Sequence, residues 1–145
     1  MTTPNFKLQR DVVADNTLST AVSSVYSRAQ IVSRVTTPNA VNATPADPIA
    51  TSVLFGGIIT STSAAAVTVK LPTAASTIAA LPGYKVGDTF SLSVVNTGPN
   101  TVTLSNNGDA NITAVGVSGV LTATSATFLF TITSPTTLSY YRATA

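Results

Sequence analysis

In the run DTFSLSVVN, residues 88–96, apolar side chains fall on every second residue at Phe90, Leu92 and Val94. A period of two places those three on one face of an extended strand and leaves Ser91 and Ser93 on the other. FLFTIT repeats the device with Phe128, Phe130 and Ile132. A helix cannot gather such positions on one stripe, so the pattern commits this part of the chain to half-buried strands. Turn-favouring residues punctuate it at Gly98-Pro99-Asn100, Asn107-Gly108-Asp109 and Ser134-Pro135-Thr136.

Extending the same reading gives strands over residues 52–59, 66–71, 89–95, 101–105, 111–117, 126–133 and 137–142, with a weaker one over 120–124. One inward face per strand predicts a mainly β fold. The expected form is an antiparallel β-sandwich or barrel of jelly-roll-like type. The exception is PTAASTIAAL, residues 72–81, where Pro72 suits a helix start, Ala74, Ala75, Ile78, Ala79 and Leu81 share one side, and Pro82-Gly83 ends it. This spacing predicts one short helix between two strands.

Charge divides the chain differently. Seven of its twelve charged residues lie in the first 47, and TTPNAVNATPADP, with Pro38, Pro45 and Pro48, reads as an extended linker. The expected organisation is an N-terminal arm with linker over residues 1–48 and a β domain over 49–145. Within the arm, Leu18, Val22, Val25, Ala29 and Val32 repeat at alternating spacings of four and three, the seam of an amphipathic helix. Ser, Thr and Val dominate there and weaken helix propensity, so an extended arm is the rival reading. In either form the seam is a candidate partner-binding surface.

The chain has no His, no Cys and no Glu, and only 8% of its residues are charged. Those absences remove the Ser-His triad, thiolate chemistry and disulfides. The five Asp are scattered, and Asp88 and Asp109 sit beside glycine where turn capping is their ordinary role. Asn106-Asn107-Gly108-Asp109-Ala110-Asn111 offers oxygens to a hard cation but lacks the acidic spacing of a calcium loop, and a hairpin turn accounts for it. The expectation is a chain that is not an enzyme, with no catalytic, cofactor-binding or metal-binding residues.

Seven Lys/Arg against five Asp give a net charge of +2, with no basic cluster to neutralise phosphates. Nucleic acid is not an expected partner. No apolar run is long enough to span a bilayer, and residues 1–20 lack the apolar core of a secretory leader, so a membrane is not expected either. A neutral, hydroxyl-rich surface suits protein contacts, because few charges must be desolvated. Tyr84, Tyr140 and Tyr141 are the candidate ligand-facing aromatics; in the last pair, alternation sends one ring to the core and the other outward.

The runs Gly56-Gly57-Ile58-Ile59, Val69 to Ala75, Leu81-Pro82-Gly83, Val86 to Phe90 and Val95-Asn96-Thr97-Gly98 resemble a β-rich module of virion proteins from tailed phages and large double-stranded DNA viruses. The resemblance covers residues 53–142. It implies a capsid decoration (cement), minor capsid or fibre component, located at the capsid surface after assembly in the host cell. A homotrimer is the expectation it carries; residues 1–48 have no counterpart in it, and attachment of the arm to the major capsid protein or other virion proteins is expected from the composition break at Pro48. The alternative it leaves open is a receptor- or carbohydrate-binding fibre or spike module.

Overall fold

The computed structural model describes residues 38–81 and 83–143. Its strands are β1 (Asn39–Ala40), β2 (Ile58–Ser61), β3 (Val67–Lys70), β4 (Thr89–Asn96), β5 (Val102–Ser105), β6 (Ile112–Val115), β7 (Gly119–Val120), β8 (Thr124–Ser134) and β9 (Thr137–Arg142). Two short helices, α1 (Thr51–Leu54) and α2 (Ala74–Ala79), lie between them. The described residues are mainly β, in two sheets of order β1-β2-β4-β8-β9-β6 and β3-β5-β7.

The alternation predicted for β4 and β8 is present residue by residue. Phe90, Leu92 and Val94 are buried, as are Ala126, Phe128, Phe130 and Ile132, while their neighbours are half-buried or exposed. Register places Phe90 opposite Phe130 and Phe130 opposite Tyr140. Their rings stack across three strands, with centroids 5.1 Å apart in each pair. Phe55 meets the edge of Phe90 at 5.0 Å. Val67, Val69, Val102, Leu104 and Val120 of the smaller sheet belong to the same core. The Tyr140 hydroxyl donates to the Leu104 carbonyl at 3.3 Å and ties one sheet to the other.

The pairing directions correct the antiparallel expectation. β4/β8, β8/β9 and β5/β7 are antiparallel, but β1/β2, β2/β4, β3/β5 and β6/β9 are parallel. The physical reason lies in the connections. After β2 the chain crosses to the smaller sheet as β3, passes through α2 and returns as β4, long enough to restore its direction. Alternation reports which face is buried and carries no information on direction. Of the three predicted turns, only Ser134-Pro135-Thr136 closes a hairpin. Asn107-Gly108-Asp109 is a corner between sheets, not a hairpin turn, with Asn107 and Gly108 both in the left-handed region at φ 54° and 81°.

Residues 52–59 do not form one strand. α1, a turn at Phe55-Gly56 and then β2 occupy that stretch. Leu54 and Phe55 are consecutive and both buried, which a half-buried strand cannot arrange. Gly57 makes the tight turn feasible, because a Cβ there would run into the Val53 carbonyl. α2 is also shorter than predicted. Thr73 caps it by accepting from the Ser76 N–H at 3.2 Å, which puts Pro72 just outside the helix. The weak strand over 120–124 reduces to β7, since Ala123 at φ 54° breaks the chain before β8.

The proline-rich stretch read as a linker is part of the packed fold from residue 38 onward. Val41 and Ile49 are buried in the core. The Val41 N–H donates to Thr60 at 2.8 Å, and Asn42 accepts from the Thr62 N–H at 2.8 Å. Farther on, Thr44 accepts from the Thr68 N–H at 3.0 Å, Ala46 accepts from the Lys70 ammonium at 2.7 Å, and the Ile49 N–H donates to Lys70 at 3.0 Å. This strap lies along β2 of one sheet and β3 of the other.

Candidate interaction surface

The outer face of the six-stranded sheet is built by the residues whose parity opposes the core set. Register aligns Thr113, Ser139, Thr131 and Thr89 in one row and Val115, Tyr141, Leu129 and Ser91 in the next. A third row joins Thr127, Ser93 and Ile58, where the Thr127 and Ser93 hydroxyls stand 3.4 Å apart. No charged side chain occupies any of these positions. Solvated sheet faces and edges ordinarily carry Lys or Glu as guards against pairing.

Apolar exposure is concentrated at one end of this face. Tyr141 is 41% exposed and its cross-strand neighbour Val115 is 55% exposed. Val117 and Leu121, also exposed, flank β7 where it follows β6. Val86 is the remaining exposed large hydrophobic among the described residues, and it lies in the turn before β4. Gly116 at φ 82° turns the chain out of β6. Arg142 points inward and donates to the Gly119 carbonyl at 3.0 Å, so the corner is anchored while Tyr141 beside it faces out.

The predicted aromatics separate. Tyr140 is 2% exposed, stacked on Phe130, and therefore is not a ligand-facing residue. Burial pushes its phenol above the ordinary tyrosine range, and the nearby Ser118 side chain opposes that shift. Tyr141 is the ring of the pair that faces outward, a choice alternation alone left open. Tyr84 is half-buried, with its hydroxyl donating to the Pro135 carbonyl at 3.5 Å. Pro135 precedes β9 and Tyr141 lies near its end, so Tyr84 and Tyr141 do not converge on one site. The seam of Leu18, Val22, Val25, Ala29 and Val32 lies outside the described residues.

The two carboxylates beside glycine have structural partners. Asp109 accepts from the Ala74 N–H at 2.8 Å and from the Asn111 N–H at 2.9 Å. These bonds, the one from Ala74 foremost, hold its carboxyl below the usual range. Asp88 accepts from the Lys85 N–H at 2.6 Å. Among the described residues no three Asp side chains gather as a metal-binding cluster would require. A groove of about 510 Å³ follows the strap, and Asp47 is the one titratable side chain in its lining. Among the described residues no helix is long and apolar enough to cross a membrane.

Val115, Val117, Leu121 and Leu129 were not legible as a surface from core periodicity. Their signal is apolar character on the wrong parity: Leu129 lies between Phe128 and Phe130, and Val115 stands three residues from the buried Ile112. Asn96 was missed too. It is 1% exposed, and its amide donates to the carbonyls of Asn100, Val120 and Leu121 at 2.7, 3.1 and 3.1 Å. No protein-family model, curated protein or solved structure matches the chain.

Proposed function

We propose that the chain is a structural virion protein, a capsid decoration or minor capsid subunit that works by self-association and attachment. In this reading the two sheets form a sandwich of jelly-roll-like type that assembles as a homotrimer on the capsid surface. The N-terminal arm, with its apolar seam, anchors the assembly to the major capsid protein or to neighbouring subunits. The observation that carries the reading is the charge-free outer face with Tyr141 and Val115 exposed on it. Such a face gains by being covered, because apolar area leaves water with no charge to desolvate. The virion setting comes from the resemblance of the Gly56–Gly98 runs to phage and viral modules.

Two measurements test it. Light scattering on the purified chain is expected to give three times the 14.7 kDa subunit mass. Mass spectrometry of purified particles is expected to find the protein at a stoichiometry set by capsid symmetry. Absence from particles overturns the virion role. Binding to host glycans by a chain absent from the shell supports the receptor-module alternative instead.

A further inference from the structure

The corner between β5 and β6 carries the sequence's one Asn-Gly pair, Asn107-Gly108. The Asp109 N–H donates to the Asn106 carbonyl at 3.0 Å and closes a tight turn around the pair. Positive φ at both central residues, 54° and 81°, is the signature of a type I′ turn. Both residues are exposed, and a Cβ built on Gly108 would meet nothing within 4 Å. The Asn107 N–H donates to the Ser105 hydroxyl at 3.1 Å, but among the described residues the Asn107 side chain has no hydrogen-bond partner. Other asparagines are held. Asn42, Asn96, Asn100 and Asn106 all have hydrogen-bonded side chains. Asn111 precedes the β-branched Ile112, whose N–H donates to the Asp109 carbonyl at 3.1 Å.

We propose that Asn107 is a site of spontaneous deamidation in the folded chain. The Gly108 nitrogen attacks Cγ of Asn107, and the new N–Cγ bond closes a five-membered succinimide ring. The Cγ–Nδ2 bond breaks, and the nitrogen leaves as ammonia with the proton given up by the Gly108 N–H. Water then opens the ring at either carbonyl. One opening leaves Asp; the other leaves isoaspartate, with the main chain routed through Cγ. The net reaction consumes one water, releases one ammonia and transfers no electrons. Nucleophile and electrophile belong to adjacent residues, so the attack is intramolecular. Gly108 has no side chain to shield its nitrogen. Its N–H is restrained by the Asn106 side-chain oxygen at 3.3 Å, longer than an ordinary N–H···O bond. That bond and the turn bond from Asp109 must both yield before the nitrogen can swing toward Cγ, and both lie at an exposed tip where local opening costs little. Either product places a new carboxylate two residues from Asp109 and lowers the net charge of +2 by one.

The test holds the full chain at mildly alkaline pH and samples it over weeks. Tandem mass spectrometry of its peptides locates each amide-to-acid conversion, and an isoaspartyl methyltransferase with a labelled methyl donor detects isoaspartate. A sample kept unfolded in guanidinium chloride gives the unrestrained rate. Expected is conversion at Asn107 ahead of Asn42, Asn100 and Asn111. Its rate should lie within roughly 30-fold of the unfolded rate, because opening gives up two hydrogen bonds of modest net worth. Asn107→Gln, whose ring would need six members, is expected to lack the acidic species on ion exchange; Asn107→Ser replaces it if that variant does not fold by circular dichroism. Slower conversion in the native chain, or none, means that the turn protects Asn107 and overturns the proposal. Conversion spread evenly over the asparagines, or an acidic species that persists in the variant, overturns it as well.

Discussion

The side-chain amide of Asn96 donates to the Val120 carbonyl at 3.1 Å and so joins the end of β4 to β7 in the opposite sheet. The same side chain accepts from the Gly98 N–H at 3.1 Å. One buried residue thus holds the crossover that leads from one sheet to the other. We predict that Asn96→Asp destabilises the fold by about 3 kcal/mol, since a carboxylate would face carbonyls it cannot donate to. Urea unfolding checks this. A loss below about 0.5 kcal/mol, within the range of ordinary surface substitutions, would deny the amide its role.

Asp109 clamps the corner after β5 onto the start of α2. Its folded pKa lies below the unfolded value, so its contribution is present above pH 4 and is lost as pH falls through the folded pKa. Asp109→Ala is expected to cost about 1 kcal/mol at pH 7, a modest figure because the carboxylate is half-exposed and screened. The difference between the native chain and the variant should shrink below pH 4. Thermal melts across that range test the sign, and a gap that widens on acidification contradicts it.

Tyr140 gives the opposite pH dependence. Its phenol titrates higher in the folded state than unfolded, because burial disfavours the phenolate. The folded state therefore keeps its full stability below pH 10 and loses it as pH rises past that value. Tyr140→Phe should reduce this alkaline loss while costing about 1 kcal/mol at neutral pH, from the bond to Leu104. Tyrosinate absorbance followed together with circular dichroism resolves the two effects.

Two glycines are predicted to fail differently. Gly98→Ala would push a Cβ against the Ser63 backbone, and a loss of about 3 kcal/mol is expected. Gly108 has open space around it but sits at φ 81°, so Gly108→Ala should cost only about 1–2 kcal/mol of backbone strain. Equal losses in chemical denaturation would contradict the close-approach argument at Gly98.

The legible part of the fold was burial phase. Phe90, Leu92 and Val94 declare their face because one side of β4 meets a core and the other does not. Strand direction is settled by connections such as the path through β3 and α2, which local periodicity does not encode. α1 was hidden because TSVLF has apolar residues suited equally to a buried strand or a turn of helix. The strap was hidden because its bonds come from Asn42 and Thr44 to residues 20 and 24 positions away. Of the surface, alternation gave in advance only that one ring of the Tyr140-Tyr141 pair faces outward.

The interleaving of the two sheets governs how the chain acquires its shape. β2, β4 and β6 alternate in sequence with β3, β5 and β7, so neither sheet is completed before the other is well advanced. β4 gains its antiparallel neighbour only with the emergence of β8, the last strand but one. Such non-local pairing places the folding time in the millisecond-to-second range. During synthesis the edge of β4 that pairs with β8 therefore waits unpaired, and the nascent chain is most vulnerable to aggregation in that interval.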